Sequence, residues 1–265
     1  MNICIAQYLS NNSLNENLTT AKNVIKKAKE KSCDLVVFPE LFLSGYLLGE
    51  NLKTNSINLK HFAIKELKQT CAECNIACVV GFPRKEKNLI YNSACFIEKT
   101  GEILDVYDKT HLFGDEKLYF AKGQKLKTFD SSLGKIGLLI CYDIEIPEAS
   151  RTLAINGATT IICISANMKP YDDLHKKFIE IRALENTANI IYCNYVGKNE
   201  QFSFVGRSNI ITNEGKNVCK YSKTKKLIFG TLLEKTIEDE NMIYLNNIRP
   251  ELYEYNQKEN KWKRI

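Results

Sequence analysis

Cys141 closes the apolar run Lys135-Ile-Gly-Leu-Leu-Ile-Cys141, and Tyr-Asp-Ile-Glu-Ile-Pro-Glu148 follows it. The run reads as a buried strand, and Pro147 as the first residue of a helix. A thiol between the two lies in a cleft, where the positive end of the helix favours thiolate over thiol. Taken alone, a cysteine is as readily a small core residue. Two further segments carry charges at comparable places. Glu40 follows the apolar stretch Leu35 to Phe38 and Pro39, at the carboxyl end of a strand, which is where open α/β sheets bind ligands. Lys109 follows the strand-like Ile103 to Tyr107 and precedes a glycine-punctuated loop carrying Glu116. A lone glutamate or lysine is ordinarily a solvated surface charge. A thiol, a carboxylate and an ammonium together suit attack on an acyl carbon, which needs a base, donors for the oxyanion and an acid for the leaving group.

In this order, three stretches resemble the nitrilase superfamily of carbon–nitrogen hydrolases. They are Phe38-Pro-Glu-Leu-Phe-Leu-Ser-Gly-Tyr46, Asp108-Lys-Thr-His-Leu-Phe-Gly-Asp-Glu116 and Leu138-Leu-Ile-Cys-Tyr-Asp-Ile-Glu-Ile-Pro-Glu-Ala-Ser-Arg151. The resemblance runs from Asn2-Ile-Cys-Ile-Ala-Gln7 through Gly157-Ala158, Arg182-Ala-Leu-Glu-Asn186, Asn194 and Phe204-Val-Gly-Arg-Ser208 to Asn213-Glu-Gly215. It implies an α/β fold, a four-layer α-β-β-α sandwich, and amide hydrolysis through a thioester. In the implied mechanism Cys141 is the nucleophile. Glu40 takes its proton, protonates departing ammonia and later activates water. Lys109 and the backbone N–H of Tyr142 hold the oxyanion, and Glu116 orients substrate or supports the lysine. A glutamate base needs a raised pKa or a dry site, which Phe38, Leu41 and Phe42 could supply.

Four positions after Cys141, many relatives carry another residue where this chain has Glu145. With Pro170-Tyr171, Arg182 to Asn186, Asn194 and Phe204 to Ser208, this resembles the branch acting on short aliphatic or ω-amino amides such as 5-aminopentanamide. A carboxylate at the pocket mouth favours a cationic substrate. The alternative is that Glu145 caps a helix or pairs with Arg151. Tyr46, Tyr142, Glu145 and Asn167 are the candidate substrate contacts. N-carbamoyl amine hydrolysis and ω-amide hydrolysis of dicarboxylic monoamides stay open, while acyl transfer to an amine and a catalytically silent binding role are the readings of another class.

The elements that must position these residues alternate along the chain. Strands are expected at 2–8, 35–38, 76–82, 89–98, 102–108, up to Cys141, and at 159–165, 189–196, 204–212, 217–221 and 226–233. Helices are expected at 16–31, 60–74, 147–156 and 173–187, the first with Leu18, Ala21, Ile25 and Ala28 on one face. With 265 residues and 44% hydrophobic content, the chain is most simply one α/β domain over 1–265. Its tail, 238–265, carries Tyr253, Tyr255 and Trp262, and in this superfamily such a tail packs on a partner subunit. A homodimer or higher homo-oligomer is expected, with helices 147–156 and 173–187 at the interface.

The net charge of +6 is modest. The basic clusters Lys220 to Lys226 and Lys258 to Arg264 read as solvated faces or a tail, and no aromatic–basic motif suggests nucleic acid. No opening apolar stretch with a cleavage site and no membrane-length run is visible, and ten cysteines without a signal read as reduced thiols. A cytoplasmic protein that binds neither membrane nor nucleic acid is expected. Cys71, Cys74 and Cys78 include a C-x-x-C, but the second pair is missing and His61, His111 and His175 lie far from paired spacing. Core packing, a structural His111, and independence from metal and cofactor are expected. Gly45, Gly49, Gly114 and Gly123 stand singly, so no phosphate loop is present.

Overall fold

The computed structural model describes residues 1–46, 49, 51–233, 237, 239–252, 255, 256, 261 and 262. The elements in chain order are β1 (Asn2–Gln7), α1 (Leu14–Glu30), β2 (Leu35–Val37), α2 (Asn51–Asn55), α3 (Phe62–Cys74), β3 (Ala77–Glu86), β4 (Leu89–Ile97) and β5 (Ile103–Asp108). Next come α4 (Glu116–Tyr119), β6 (Thr128–Ser131), β7 (Gly134–Ile140), a 3-10 turn (Cys141–Glu145), α5 (Pro147–Ile155), β8 (Thr160–Ser165), α6 (Leu174–Asn186) and β9 (Asn189–Asn194). They end with β10 (Val196–Lys198), β11 (Ser203–Val205), β12 (Asn209–Ile211) and β13 (Lys226–Thr231), before short turns and the pair β14 (Tyr255–Asn256) and β15 (Lys261–Trp262).

Two sheets form the middle layers. One runs β13-β1-β2-β3-β4-β5 and the other β12-β9-β8-β7-β6. Their alternating side chains explain the layering. Ile3, Ile5, Leu35, Val37 and Val79 of the first sheet share a core with Leu138, Ile162, Ile164 and Ile191 of the second. On the first sheet's other face, Cys4, Ala6, Val36 and Val80 pack with Leu18, Ala21, Ile25 and Ala28 of α1 and Ile64, Leu67 and Cys71 of α3. Leu153 of α5 and Ile179 and Ala183 of α6 belong to the core beside the second sheet. The result is the expected α-β-β-α sandwich. Ser13 caps α1 by accepting from the Glu16 N–H, and Asn75 ends α3 in the left-handed conformation.

Three expected strands need correction. The stretch 204–212 is not one strand: β11 pairs with β10, and β12 pairs with β9 in the larger sheet. Gly206 and Arg207, at φ +66° and +63°, turn a corner between them. A Cβ on Gly206 would meet the Ser222 carbonyl oxygen at 2.8 Å, so this corner requires glycine. The expected strand 189–196 likewise ends at Asn194, and β10 belongs to the small sheet. Residues 217–221 form no strand, only a single bridge from Asn217 to Ile211. β6, α2, α4 and the 3-10 turn, all short, carry too few residues for a periodic signal. Among the described tail residues, 239–252 form exposed turns. Tyr253, Lys258, Lys263 and Arg264, on which part of the tail and basic-cluster reading falls, lie outside the described residues.

Candidate active site

The strand ends bring the charged residues of the three segments into one buried cluster. Glu40 and Glu116 are fully buried and Lys109 is nearly so. Lys109 Nζ donates to Glu40 Oε1 at 2.8 Å and to Glu116 Oε1 at 2.9 Å. Tyr46 donates its hydroxyl to Glu116 Oε1 at 3.1 Å, and the Phe113 N–H donates to Glu116 Oε2 at 2.9 Å. Asn92, in the middle of β4, donates its amide to Glu40 Oε1 at 2.6 Å. Glu40 Oε2 is buried without a hydrogen-bond partner. A buried acceptor so placed carries a desolvation cost that an incoming proton removes.

Close backbone packing makes this convergence possible. A Cβ on Gly81 would stand 2.5 Å from the Leu41 nitrogen and 2.9 Å from the Glu40 carbonyl carbon, so β3 can pass directly under the Glu40 loop only with glycine there. Gly123 does the same beside Asp108, where its N–H donates to the Lys109 carbonyl at 2.9 Å. Leu41 and Cys141 sit at φ +52° and +50°. Such angles are uncommon for residues with a Cβ and mark places where surrounding packing over-determines the backbone.

Asp143 joins the Lys109 segment to the Cys141 turn. Its Oδ2 accepts from the Tyr107 hydroxyl at 2.8 Å and the Ile140 N–H at 3.0 Å, while Oδ1 accepts from Thr110 Oγ1 at 3.0 Å and the His111 N–H at 2.9 Å. His111 Nδ1 lies 2.8 Å from the same Oδ1. The histidine expected to be structural therefore braces the turn. Arg182 of α6 holds the turn's other end, donating to the carbonyls of Ile144 at 3.1 Å and Glu145 at 3.0 Å.

Cys141 is partly accessible. The helix-end argument for a resting thiolate does not hold, because the 3-10 turn separates Cys141 from α5. Burial, and then the negative charge of Glu40, push the thiol well above its ordinary range, although Lys109 and a hydrogen bond with Ser165 pull the other way. Burial also raises Glu40, partly offset by Lys109. Burial alone would lower the Lys109 pKa, but Glu116 and then Glu40 outweigh it and push it well above the ordinary lysine value.

Above the thiol is a cavity of about 20 Å³ lined by Tyr46, Lys109, Tyr142, Glu145, Asn167 and His175, among others. All four candidate substrate contacts therefore border one space. Phe113 stacks near Tyr142 and Tyr171, with ring centroids 5.4 Å and 5.5 Å away, and closes the same cavity. Glu145 does not pair with Arg151, which instead donates to the Glu185 carbonyl at 2.8 Å. Its partner is His175, whose Nε2 lies 3.0 Å from Glu145 Oε1. Asn92, Asp143 and His175 escape the sequence reading. They sit within strands, turns and helices, and only the Tyr91-Asn92 step, a buried amide in an apolar strand, offered a signal.

Among the described residues, no group of three or more histidine, cysteine, aspartate or glutamate side chains could hold a metal ion. No helix of those residues is long and apolar enough to cross a membrane. Cys71 and Cys78 are free thiols buried in the core between α3 and its sheet, the packing role expected for that cysteine group.

A family model for carbon-nitrogen hydrolases matches residues 2–239. The chain is 38% identical over 164 residues to an (R)-stereoselective amidase of a Pseudomonas species, covering 62% of this chain and 60% of that one. It is 31% identical to the 2-oxoglutaramate amidase of Bacillus subtilis, covering 94% and 98%. An amidase from Nesterenkonia sp. has the same fold, with a TM-score of 0.86, 26% identity and coverage of 95% and 94%, and a cysteine-to-alanine variant of it has been solved in complex with butyramide. Every residue of the buried cluster falls inside the matched span, and the chain belongs to the carbon–nitrogen hydrolases of the nitrilase superfamily.

Proposed function

We propose that this chain hydrolyses a short linear amide to a carboxylate and ammonia through a thioester on Cys141. The observation that carries the reading is the unpartnered Glu40 Oε2 in a cluster where Oε1 is already held by Lys109 and Asn92. In the reading, Sγ attacks the amide carbon as the thiol proton passes to that oxygen. The C=O electrons move onto oxygen, where Lys109 and the Tyr142 N–H receive the charge. Glu40 then returns the proton to nitrogen, the C–N bond breaks and ammonia leaves. Water next gives Glu40 a proton while adding to the thioester, and collapse releases carboxylate and the thiol. Glu116 keeps Lys109 in place and protonated. Ammonia release from a panel of amides, N-carbamoyl amines and nitriles, with and without an amine acceptor, tests the reading; turnover only with the acceptor would replace hydrolysis by acyl transfer.

The cavity's size and charge narrow the substrate. About 20 Å³ admits a water-sized group. Short acyl chains suit it, and longer ones such as the 5-aminopentanoyl group require the Phe113–Tyr171 pair to swing aside. Lys109 is the one cationic side chain at the cavity among the described residues, and Glu40 and Glu116 already neutralise it. Glu145 adds negative charge, so neutral or ammonium-bearing amides are favoured over dicarboxylic monoamides. Glu145→Gln keeps an oxygen for His175 but removes the charge. The expected result is a fall of about tenfold in kcat/KM for 5-aminopentanamide, within the range for a partly desolvated charge pair, with pentanamide nearly unchanged. Equal losses would make Glu145 a brace for the turn, and no loss would place it outside the substrate's reach.

Self-association is part of the same proposal. Ile155 of α5 and Ile181 and Leu174 of α6 are exposed by 57%, 50% and 39%. These apolar side chains sit on the two helices outside the second sheet, and pairing across a two-fold axis would bury them. Light scattering at micromolar concentration is expected to give at least twice the 30.3 kDa chain mass; a monomer mass would remove this element.

A further inference from the structure

In the proposed reaction Glu40 takes and returns a proton, yet its surroundings oppose a charged carboxylate. It is fully buried, and Glu116 adds repulsion. The ionisable groups that face it are Lys109 and Glu116, Tyr46 from its own loop, Cys141 from the turn, and Cys163 of β8, Tyr192 of β9 and Tyr195. Among the described residues, two side chains donate hydrogen bonds to the carboxylate, and both end on Oε1: Lys109 at 2.8 Å and Asn92 at 2.6 Å. Lys109 divides its charge with Glu116, and in the proposed reaction it also serves the substrate's oxygen. Asn92 carries no such second duty. It is fully buried in β4, between β3 and β5, and its Oδ1 has no hydrogen-bond partner.

The orientation of the Asn92 amide follows from that contact. Two acceptors 2.6 Å apart would repel, so nitrogen and not oxygen faces the carboxylate. The orphaned Oδ1 is a cost that an apolar residue of similar shape would avoid. The main chain of Asn92 closes a ring of contacts: its carbonyl accepts from the Lys109 N–H at 2.8 Å, one residue beyond the Ser93–Asp108 pairing of β4 with β5. One residue thus holds the lysine by its backbone and the carboxylate by its side chain. We propose that Asn92 is the positioning residue for the base: its N–H occupies Oε1, leaves Oε2 as the atom that takes and returns the proton, and keeps the carboxylate charged at a lower pH than burial beside Glu116 would allow. A neutral donor suits this task, because it favours the charged form without adding a second cation to compete with Lys109 for the oxyanion. In the same sense, the amide pulls the Glu40 carboxyl down against the burial that raises it.

The inference rests on Glu40 being the base, and its test reads that carboxyl both through turnover and directly. Asn92→Leu removes the donor and the orphaned oxygen together at similar volume, and Asn92→Ala does so with a smaller side chain and serves where leucine does not fold. For the amide that the wild-type chain cleaves fastest, the acid limb of kcat/KM is expected to move up by about one pH unit in either variant. The rate on that limb then falls about tenfold, while the plateau at higher pH stays nearly unchanged. Raising the pH therefore rescues the variant, which it would not do for a folding defect. In chains labelled with 13C-glutamate, the Glu40 carboxyl signal, assigned by its absence in Glu40→Gln, is expected to titrate higher by the same amount. A limb that stays in place or moves down, or a loss of the same size at every pH, overturns the proposal. So does a limb that moves while the carboxyl titration does not. If the carboxyl titration shifts in a chain that cleaves no amide, the role of Asn92 stands and the amidase reading falls.

Discussion

Cys141→Ala abolishes ammonia release from every amide the wild-type chain cleaves, with a loss of about a millionfold in kcat, while far-UV circular dichroism stays at the wild-type level. The size follows from how such groups work: without its nucleophile a covalent mechanism retains only binding and oxyanion stabilisation, as removal of a nucleophilic serine elsewhere shows. The fold should survive, because Cys141 is partly accessible and its positive φ is no worse for alanine. Mass spectrometry supplies the covalent check. The wild-type chain quenched during turnover should carry the acyl group on the Cys141 peptide and on none of the other nine cysteine positions. Activity surviving in Cys141→Ala, or an acyl group mapped elsewhere, would refute the thioester route.

Glu40→Gln is the second large effect, a loss of about a thousandfold in kcat/KM. General acid–base groups contribute roughly 10²–10⁴-fold, and Glu40 is asked to act in both acylation and deacylation. Glutamine keeps an oxygen for Lys109 and Asn92 but cannot accept the thiol proton. The pH profile carries the sign. Burial raises the Glu40 carboxyl, opposed by Lys109, and the base form is the active one. Wild-type kcat/KM should therefore be constant above that raised value and fall tenfold per pH unit below it. The fall begins at a higher pH than the ordinary glutamate value of about 4.3. Glu40→Gln should lose this limb along with the rate. A variant that keeps the wild-type limb would assign the titration to another group, and one with near-normal activity would remove Glu40 from the chemistry.

Glu40, Lys109 and Cys141 were legible because each follows an apolar strand by one to three residues. A strand's end is a local property, visible wherever a hydrophobic run meets a polar residue. The faces of α1 and α3 were legible for the same reason, since their buried residues repeat with the helical period. Asn92 was not, because only the pairing of β4 with β3, and of β3 with the Glu40 loop, brings its amide to Oε1. Asp143 stood in a recognised motif, but its partners on the Lys109 segment are more than thirty residues away.

The direction in which the thiol pKa is pushed was not legible for a related reason. A helix start can be inferred from Pro147, but the burial and the adjacent carboxylate that push the thiol pKa up arise only when β2, β5 and β7 converge. Glu145 shows the same limit, for its nearest candidate in the chain was Arg151 and its partner is His175, thirty residues on. Local sequence thus determines strands, helix faces and the chemical types at strand ends, because these depend on neighbours within a few positions. Which carboxylate oxygen is left unpartnered and how wide the cavity is depend on distances between strands. Those distances exist only after the two sheets have packed.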